Sequence, residues 1–238
     1  MMQIGSTEWK RLISEGAGAF DIHLDSRQVD LCAVHAVELL RWNRKFNLTT
    51  ITDSVEVAVK HFIDAMAPAG IIPSNAELLD IGSGGGFPGI PLKILMPSLS
   101  ATLIDASRKK VNFMKHVIRT LKLKDISVRH ARAQGFSIVD FEAPGDQKDN
   151  FDVIISRAVT SLENFIPMAL PLLARGGSLI ALKGKVSEEE IESARMCMLE
   201  MSEMGQTHVS IDLKTYALPY LKSERSIVTV KRIRNKSL

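Results

Sequence analysis

The stretch AELLDIGSGGGFPGIPLKIL, residues 76–95, governs how the rest of the chain is read. An apolar run closes on Asp80, and four of the five residues from 82 to 86 are glycine. Pro88 follows where the first turn of a helix begins, a position that tolerates a residue without an N–H. A strand, a bare turn and a helix in that order put the turn at the carboxyl end of a strand, where open α/β sheets bind their ligands. A dinucleotide-binding turn would read Gly-x-Gly-x-x-Gly. Counted from Gly82, its third glycine falls on Phe87. Counted from Gly84, the frame Gly84, Gly86, Gly89 runs across Pro88 and comes too late in the turn.

Asp80 also argues against a pyrophosphate, because like charges held close in a partly dry cleft repel. It suits a ligand with an ammonium and a sulfonium, whose carboxylate the loop and helix N–H groups can receive. S-adenosylmethionine carries that pattern, so Asp80, Gly82 and Gly84 are expected at such a cofactor.

Outward from the turn the chain falls into two zones. From residue 76 onward, AELLDI, SATLID, ISVRHA, FDVIIS, GSLIALK, THVSIDL and RSIVTVKRI read as strands. Helices are expected between them from near Pro88, Ser107, Leu162 and Ser187. That alternation implies an α/β fold with a mostly parallel sheet covered on both faces. The last two strand runs have no convincing helix between them, which predicts an antiparallel return at one edge. Residues 6 to about 69 carry helical spacing instead. Val29, Cys32, Ala33, Ala36, Leu39 and Leu40 recur at three- and four-residue intervals. Asp53 followed three residues later by Glu56 has capping-box spacing. A short connection, GIIPSNA, separates a helical extension, residues 1–70, from the α/β domain, residues 71–238. DFEAPGDQKDN, residues 140–150, reads as a polar surface connection.

Three further strand ends supply site residues. Asp105 closes the second strand about 20 residues past the glycine turn, where an acid commonly accepts adenosine ribose hydroxyls. The same residue is placed to cap the helix SRKKVNFMKHVIRTL. Ala133 and Gln134, after the third strand, border the place of an adenine. The fourth strand ends at Ser156-Arg157, facing the transferable methyl. It offers neither an Asn/Asp-Pro-Pro-aromatic motif nor a Cys nucleophile, and no His or carboxylate to serve as a base. A nucleophile without a proton needs no base. Guanine N7 is such an atom, and alignment alone then accounts for much of the rate. Arg157 is the candidate clamp, since arginine pairs bidentately with guanine or phosphate; a strand-end salt bridge is its other reading.

Composition bounds the partners. A formal charge of +3 over 238 residues permits an anionic partner without requiring one. Cys32 and Cys197 make neither a disulfide framework nor a zinc site by spacing, and no metal is expected. No run approaches a membrane span, and the N-terminus lacks the layout of a secretion signal. The expectation is a soluble, cytoplasmic protein.

Six segments in order, WNRKFNLTTI, KHFIDAM, LLDIGSGGGFPGIPLKI, LIDASRKKVNFM, ISRAV and ALKGK, resemble the bacterial 16S rRNA guanine-N7 methyltransferases, the RsmG (GidB) family. The likeness runs from about Arg41 to Lys185. It implies a class I S-adenosylmethionine-dependent methyltransferase, a Rossmann-like, mostly parallel seven-stranded sheet with an antiparallel edge and an N-terminal helical extension. It implies methyl transfer to a guanine of 16S rRNA, free or in a small-subunit assembly intermediate, by a monomer. Carried over, cofactor contacts fall on Gly82, Phe87, Ala133, Gln134 and Arg157. Where the family often reads Arg-Ala-Glu, this chain has Arg132-Ala133-Gln134, which removes a charge beside the adenine.

RNA binding calls for clustered cations with something to stack on. Candidates are Arg41, Arg44 and Lys45 around Trp42 and Phe46; Arg108, Lys109 and Lys110; Arg129 and Arg132; and Lys183 and Lys185 at the cleft rim. The four-residue spacing of Trp42 and Phe46 favours burial over base stacking. His61 and Asp64 either line the base pocket or form a structural pair. The other readings are a methyltransferase for another RNA or a small molecule, a nicotinamide-dependent oxidoreductase, and a non-catalytic nucleotide-binding module.

Overall fold

The computed structural model describes residues 2–134, 137–139, 151–157, 161–203 and 209–232, with backbone alone for 132–134, 137–139 and 202–203. The polar run expected at 140–150 and most of the basic tail lie outside the described residues. Helix α1, Thr7–Gly18, starts at Ser6, whose hydroxyl accepts from the Trp9 N–H. Helix α2, Ser26–Phe46, opens on a capping box between Asp25 and Gln28 and stops where Asn47 turns left-handed. Its buried stripe holds Val29, Cys32, Ala33, Ala36 and Leu39 as the spacing predicted, and His35 besides.

The stretch 54–66 is one continuous helix in three parts: α3, Ser54–Glu56; a π segment, Val57–Ile63; and α4, Asp64–Met66. Asp53 caps it by accepting from the Val55 and Glu56 N–H groups. Glu56 does not complete a capping box; its carboxylate pairs with Lys60 one turn on.

The sheet domain continues through β1, Glu77–Ile81; α5, Gly89–Leu95; β2, Ser100–Asp105; α6, Arg108–Leu121; and β3, Ile126–His130. A small antiparallel hairpin follows, β4, Arg132–Gln134, with β5, Ser137–Val139. Next come β6, Phe151–Ser156; α7, Leu162–Ala169; β7, Leu173–Lys183; α8, Glu188–Glu203; β8, Val209–Ala217; and β9, Glu224–Arg232. Seven strands form one sheet in the order β3-β2-β1-β6-β7-β9-β8. The first five are mutually parallel, while β9 runs antiparallel to both β7 and β8. The expected return at one edge is therefore present.

Strand alternation sends side chains to opposite faces, and each face builds its own core. Leu78, Leu103 and Ile155 pack with α1, α2, the 54–66 helix, α5 and α6. Leu79, Ile154 and Leu179 pack with α7 and α8. The first core runs unbroken across residue 70, with Leu39 and Phe62 from the helical extension buried beside Phe87 and Ile90. Strand order reverses between β1 and β6, so the crevice for a ligand opens beyond the ends of β1, β2 and β6.

Candidate active site

At those strand ends lies a cleft of about 660 Å³, within the usual range for small-molecule sites. Its floor is the glycine turn. Gly82, Gly84 and Gly86 hold φ values of 74°, 58° and 87°, in the left-handed region where a side chain is strained. The turn lies against the neighbouring strand, with the Gly82 and Ser83 N–H groups donating to the Ile104 carbonyl.

Asp105 holds the turn from the side. One carboxylate oxygen accepts from the Gly84 N–H at 2.9 Å, the other from the Ser107 N–H at 2.8 Å. The N-cap of α6 is Ser107 rather than Asp105, but the acid still ties the start of that helix to the loop. Each carboxylate oxygen has more than one acceptor direction, which leaves room for a ribose. Lys110 lines the cleft, 4.0 Å from the same carboxylate.

Asp80 departs from expectation. Its side chain is fully enclosed beneath the loop and accepts from the Gly89 N–H at 2.8 Å. Burial pushes its carboxyl up to about 7, against the lowering effect of the Gly89 bond. It therefore does not stand at the mouth as an open negative charge; it pins the start of α5 to β1. Its other oxygen is buried with no partner among the described residues.

The opposite wall is made of stacked rings, two from the helical extension and one, Phe87, from the end of the glycine turn. Phe87 lies between His35 and His61, with centroids 4.8 and 4.5 Å away and planes within 9° and 12° of parallel. The Arg157 guanidinium sits 5.2 Å from the Phe87 ring centre. It donates to the Lys60 carbonyl at 2.8 Å and to His61 Nδ1 at 3.2 Å. His35 Nε2 meets the Gly85 carbonyl at 2.8 Å, so this nitrogen carries the proton. Burial lowers His35 to about 4, the Gly85 bond opposing it. Burial, then the charge of Arg157, lowers His61 to about 3. Both rings are neutral near pH 7.

His61 does not pair with Asp64. The Asp64 carboxylate accepts from the Tyr216 hydroxyl at 2.8 Å and lies 3.7 Å from Arg225, joining the 54–66 helix to the far strands. Gly82, Gly84, Phe87, His61 and Arg157 thus meet in one cleft. Lys183 does not join them; it closes β7 and pairs with Glu190 of α8 at 2.6 Å, so its charge is matched within the fold. Lys185 is exposed two residues further on. Arg132, Ala133 and Gln134 form β4, and their side chains lie outside the described residues. Trp42 is half-buried against Phe113, whereas Phe46 is exposed, with Lys109 over its ring at 6.0 Å.

Neither His35, buried behind the cleft in the ring stack, nor Thr49, on its lining, was anticipated. His35 lies three residues after Cys32 and four before Leu39, on the buried stripe of α2, and a polar residue on such a stripe was the available signal. Thr49 has no local signature. Its place depends on Asn43, whose side chain accepts the Thr49 N–H at 2.9 Å and folds the chain back after α2.

The family described as GidB: rRNA small subunit methyltransferase G matches residues 30–217. Proteins named Ribosomal RNA small subunit methyltransferase G from Geobacter sulfurreducens and Acetivibrio thermocellus are 38% and 37% identical. The matches cover 92% and 94% of this chain, and 96% and 89% of theirs. Among solved structures, the O-methyltransferase TomG from Streptomyces achromogenes in complex with SAM superposes with a TM-score of 0.57 at 14% identity, covering 98% of this chain and 100% of that one. An O-methyltransferase from Bacillus cereus in complex with SAH gives 0.55 at 16%, covering 92% and 96%. The likeness to those two is one of fold, that of the class I methyltransferases, and it agrees with the strand order above. The chain belongs to the GidB family, rRNA small subunit methyltransferase G.

Proposed function

We propose that the protein transfers a methyl group from S-adenosylmethionine to N7 of a guanine in small-subunit rRNA. When bound, the cofactor supplies an electrophilic methyl on a sulfonium. The cleft fits it: the bare turn admits close backbone approach, Asp105 is positioned for ribose hydroxyls, and the volume is sufficient. Residues 71–238 carry this cofactor side, with Gly82, Gly84, Phe87 and Asp105 holding the donor, Ala133 and Gln134 beside its adenine, and Asp80 bracing the loop from beneath. Residues 1–70 bring His61 and Thr49 to the substrate side, and exposed Lys185 with Arg132 contributes positive charge for RNA.

The choice of N7 rests on one observation. Among the described residues, the titratable ones lining the cleft are His61, Lys110 and Arg157. His61 has both ring nitrogens engaged, Nδ1 by Arg157 and Nε2 by Thr49. The other two are cations. None of them is free to take a proton, which favours a nucleophile that has none to lose. Arg157, braced on the Lys60 carbonyl and over Phe87, aligns the base. A guanine in folded rRNA must be exposed or turned outward to reach it. This reading has the protein acting in the cytoplasm, as a monomer, on 16S rRNA or an assembly intermediate.

The test is to incubate unmodified small-subunit rRNA and subunits with tritiated cofactor and map the labelled nucleotide. Label is expected at a single guanine N7. Label on an exocyclic amine or a ribose, or only on small metabolites, overturns the proposal.

A further inference from the structure

We infer that the Thr49 hydroxyl is held as a one-way hydrogen-bond donor facing the cleft, and that it reads the carbonyl oxygen beside the methylated ring nitrogen. Thr49 would then select a 6-keto purine over a 6-amino one. The inference rests on the guanine reading above and deepens it.

The geometry leaves the hydroxyl one direction. A guanidinium only donates, so His61 Nδ1, 3.2 Å from Arg157, must be the accepting nitrogen. The proton of the neutral ring then sits on Nε2, which points at Thr49 Oγ1, 3.0 Å away. The hydroxyl oxygen therefore accepts from His61. It also accepts from the Ile51 N–H at 3.0 Å. A hydroxyl has two acceptor lone pairs and one proton. Both lone pairs are in use, and among the described residues no hydrogen bond takes up the proton. Thr49 lines the cleft with His61, Phe87 and Arg157. Its backbone is fixed by Asn43, so the group is pre-set rather than free to adapt.

What it would meet follows from purine chemistry. Beside N7, guanine offers the O6 acceptor, whereas adenine offers the N6 amino donor. A fixed donor completes a bond with the first and opposes the second. Sites built around such a bond reject the analogue that lacks it.

The test uses the full-length enzyme and small-subunit rRNA in which the mapped guanine is replaced by 2-aminopurine, which keeps N7 and lacks the 6-keto oxygen. Wild type should lose roughly 10- to 100-fold in kcat/KM on this RNA. Thr49→Val should show a similar loss on guanine RNA and no further loss on the analogue, and Thr49→Ser should restore most of the rate. Affinity for S-adenosylhomocysteine should be unchanged in both variants. A wild-type loss below about twofold overturns the inference with no variant needed. So do additive losses, full activity of Thr49→Val, or weaker S-adenosylhomocysteine binding with an unchanged ratio between the two RNAs, since the hydroxyl would then serve the cofactor. Wild-type label away from N7 is a different failure, which removes the guanine reading itself.

Discussion

The two walls of the cleft are built on different principles. The sheet-borne wall is backbone: glycine N–H groups and carbonyls, steadied by two carboxyl groups at the ends of neighbouring strands. The helix-borne wall is side chain: His35, Phe87 and His61 in one stack under Arg157, with Thr49 hung from His61. A wall of backbone is indifferent to most substitutions but demands glycine at fixed positions. A wall of stacked rings is sensitive to each ring, because every member holds the next in place. The first kind suits a ligand of constant shape, and the second suits discrimination among bases.

The contrast is sharpest at Arg157, which spans both walls. Arg157→Ala should lower kcat by about 100-fold or more, the scale of losing substrate alignment, with helix content unchanged by circular dichroism. Full turnover would place the residue outside the mechanism. His35→Ala removes a fully buried ring from the stack and leaves the Gly85 carbonyl without its donor. It should cost about 2–4 kcal/mol in denaturant unfolding. A loss below about 0.5 kcal/mol would show that the rings merely lie alongside one another.

On the sheet side, Asp105→Ala should weaken S-adenosylhomocysteine binding by about 1–3 kcal/mol by calorimetry. Unchanged affinity would mean that the acid only ties loop to helix.

The remaining signal is a slope. The Asp80 carboxyl is raised from 3.8 to about 7, so the folded protein keeps a proton that the unfolded chain has already lost. This stabilisation is complete below pH about 4 and is lost as pH climbs through about 7. Asp80→Asn keeps an acceptor for Gly89 and removes the titration. Its stability relative to wild type should therefore rise from pH 4 to 7, by at most about 1.4 kcal/mol per pH unit, and level off above. His35 and His61 titrate alike in both proteins and cancel. A flat difference would show that Asp80 ionises as freely as an exposed acid.

The walls also differ in how openly the sequence declared them. The sheet-borne wall was legible because its demands are local: glycines at φ values near 60–90° recur at alternate positions of one short turn, and the acids lie at strand ends. Asp80 shows the limit of that legibility, since adjacency to a loop does not say which way a carboxyl turns. Lys183 shows another, for its partner Glu190 comes from a helix that the rim reading left out of account. The helix-borne wall brings together residues 35, 49, 61, 87 and 157, and no short pattern links them. Even the resemblance carried by WNRKFNLTTI and KHFIDAM marked segments without revealing that Thr49 meets His61. The ring stack follows from tertiary packing, which periodicity reports only as a buried face.

The π segment Val57–Ile63 has a consequence for descent. There the helix closes i to i+5, with the Asp64 N–H donating to the Val59 carbonyl. Losing one codon within it would restore ordinary closure and rotate one flank against the other by about 100°. The Lys60 carbonyl and the His61 ring would no longer both address Arg157, even where the lost codon was that of Ala58 and both residues were still encoded. Among aligned relatives, a gap in this helix would therefore say more about lost activity than a mismatch would.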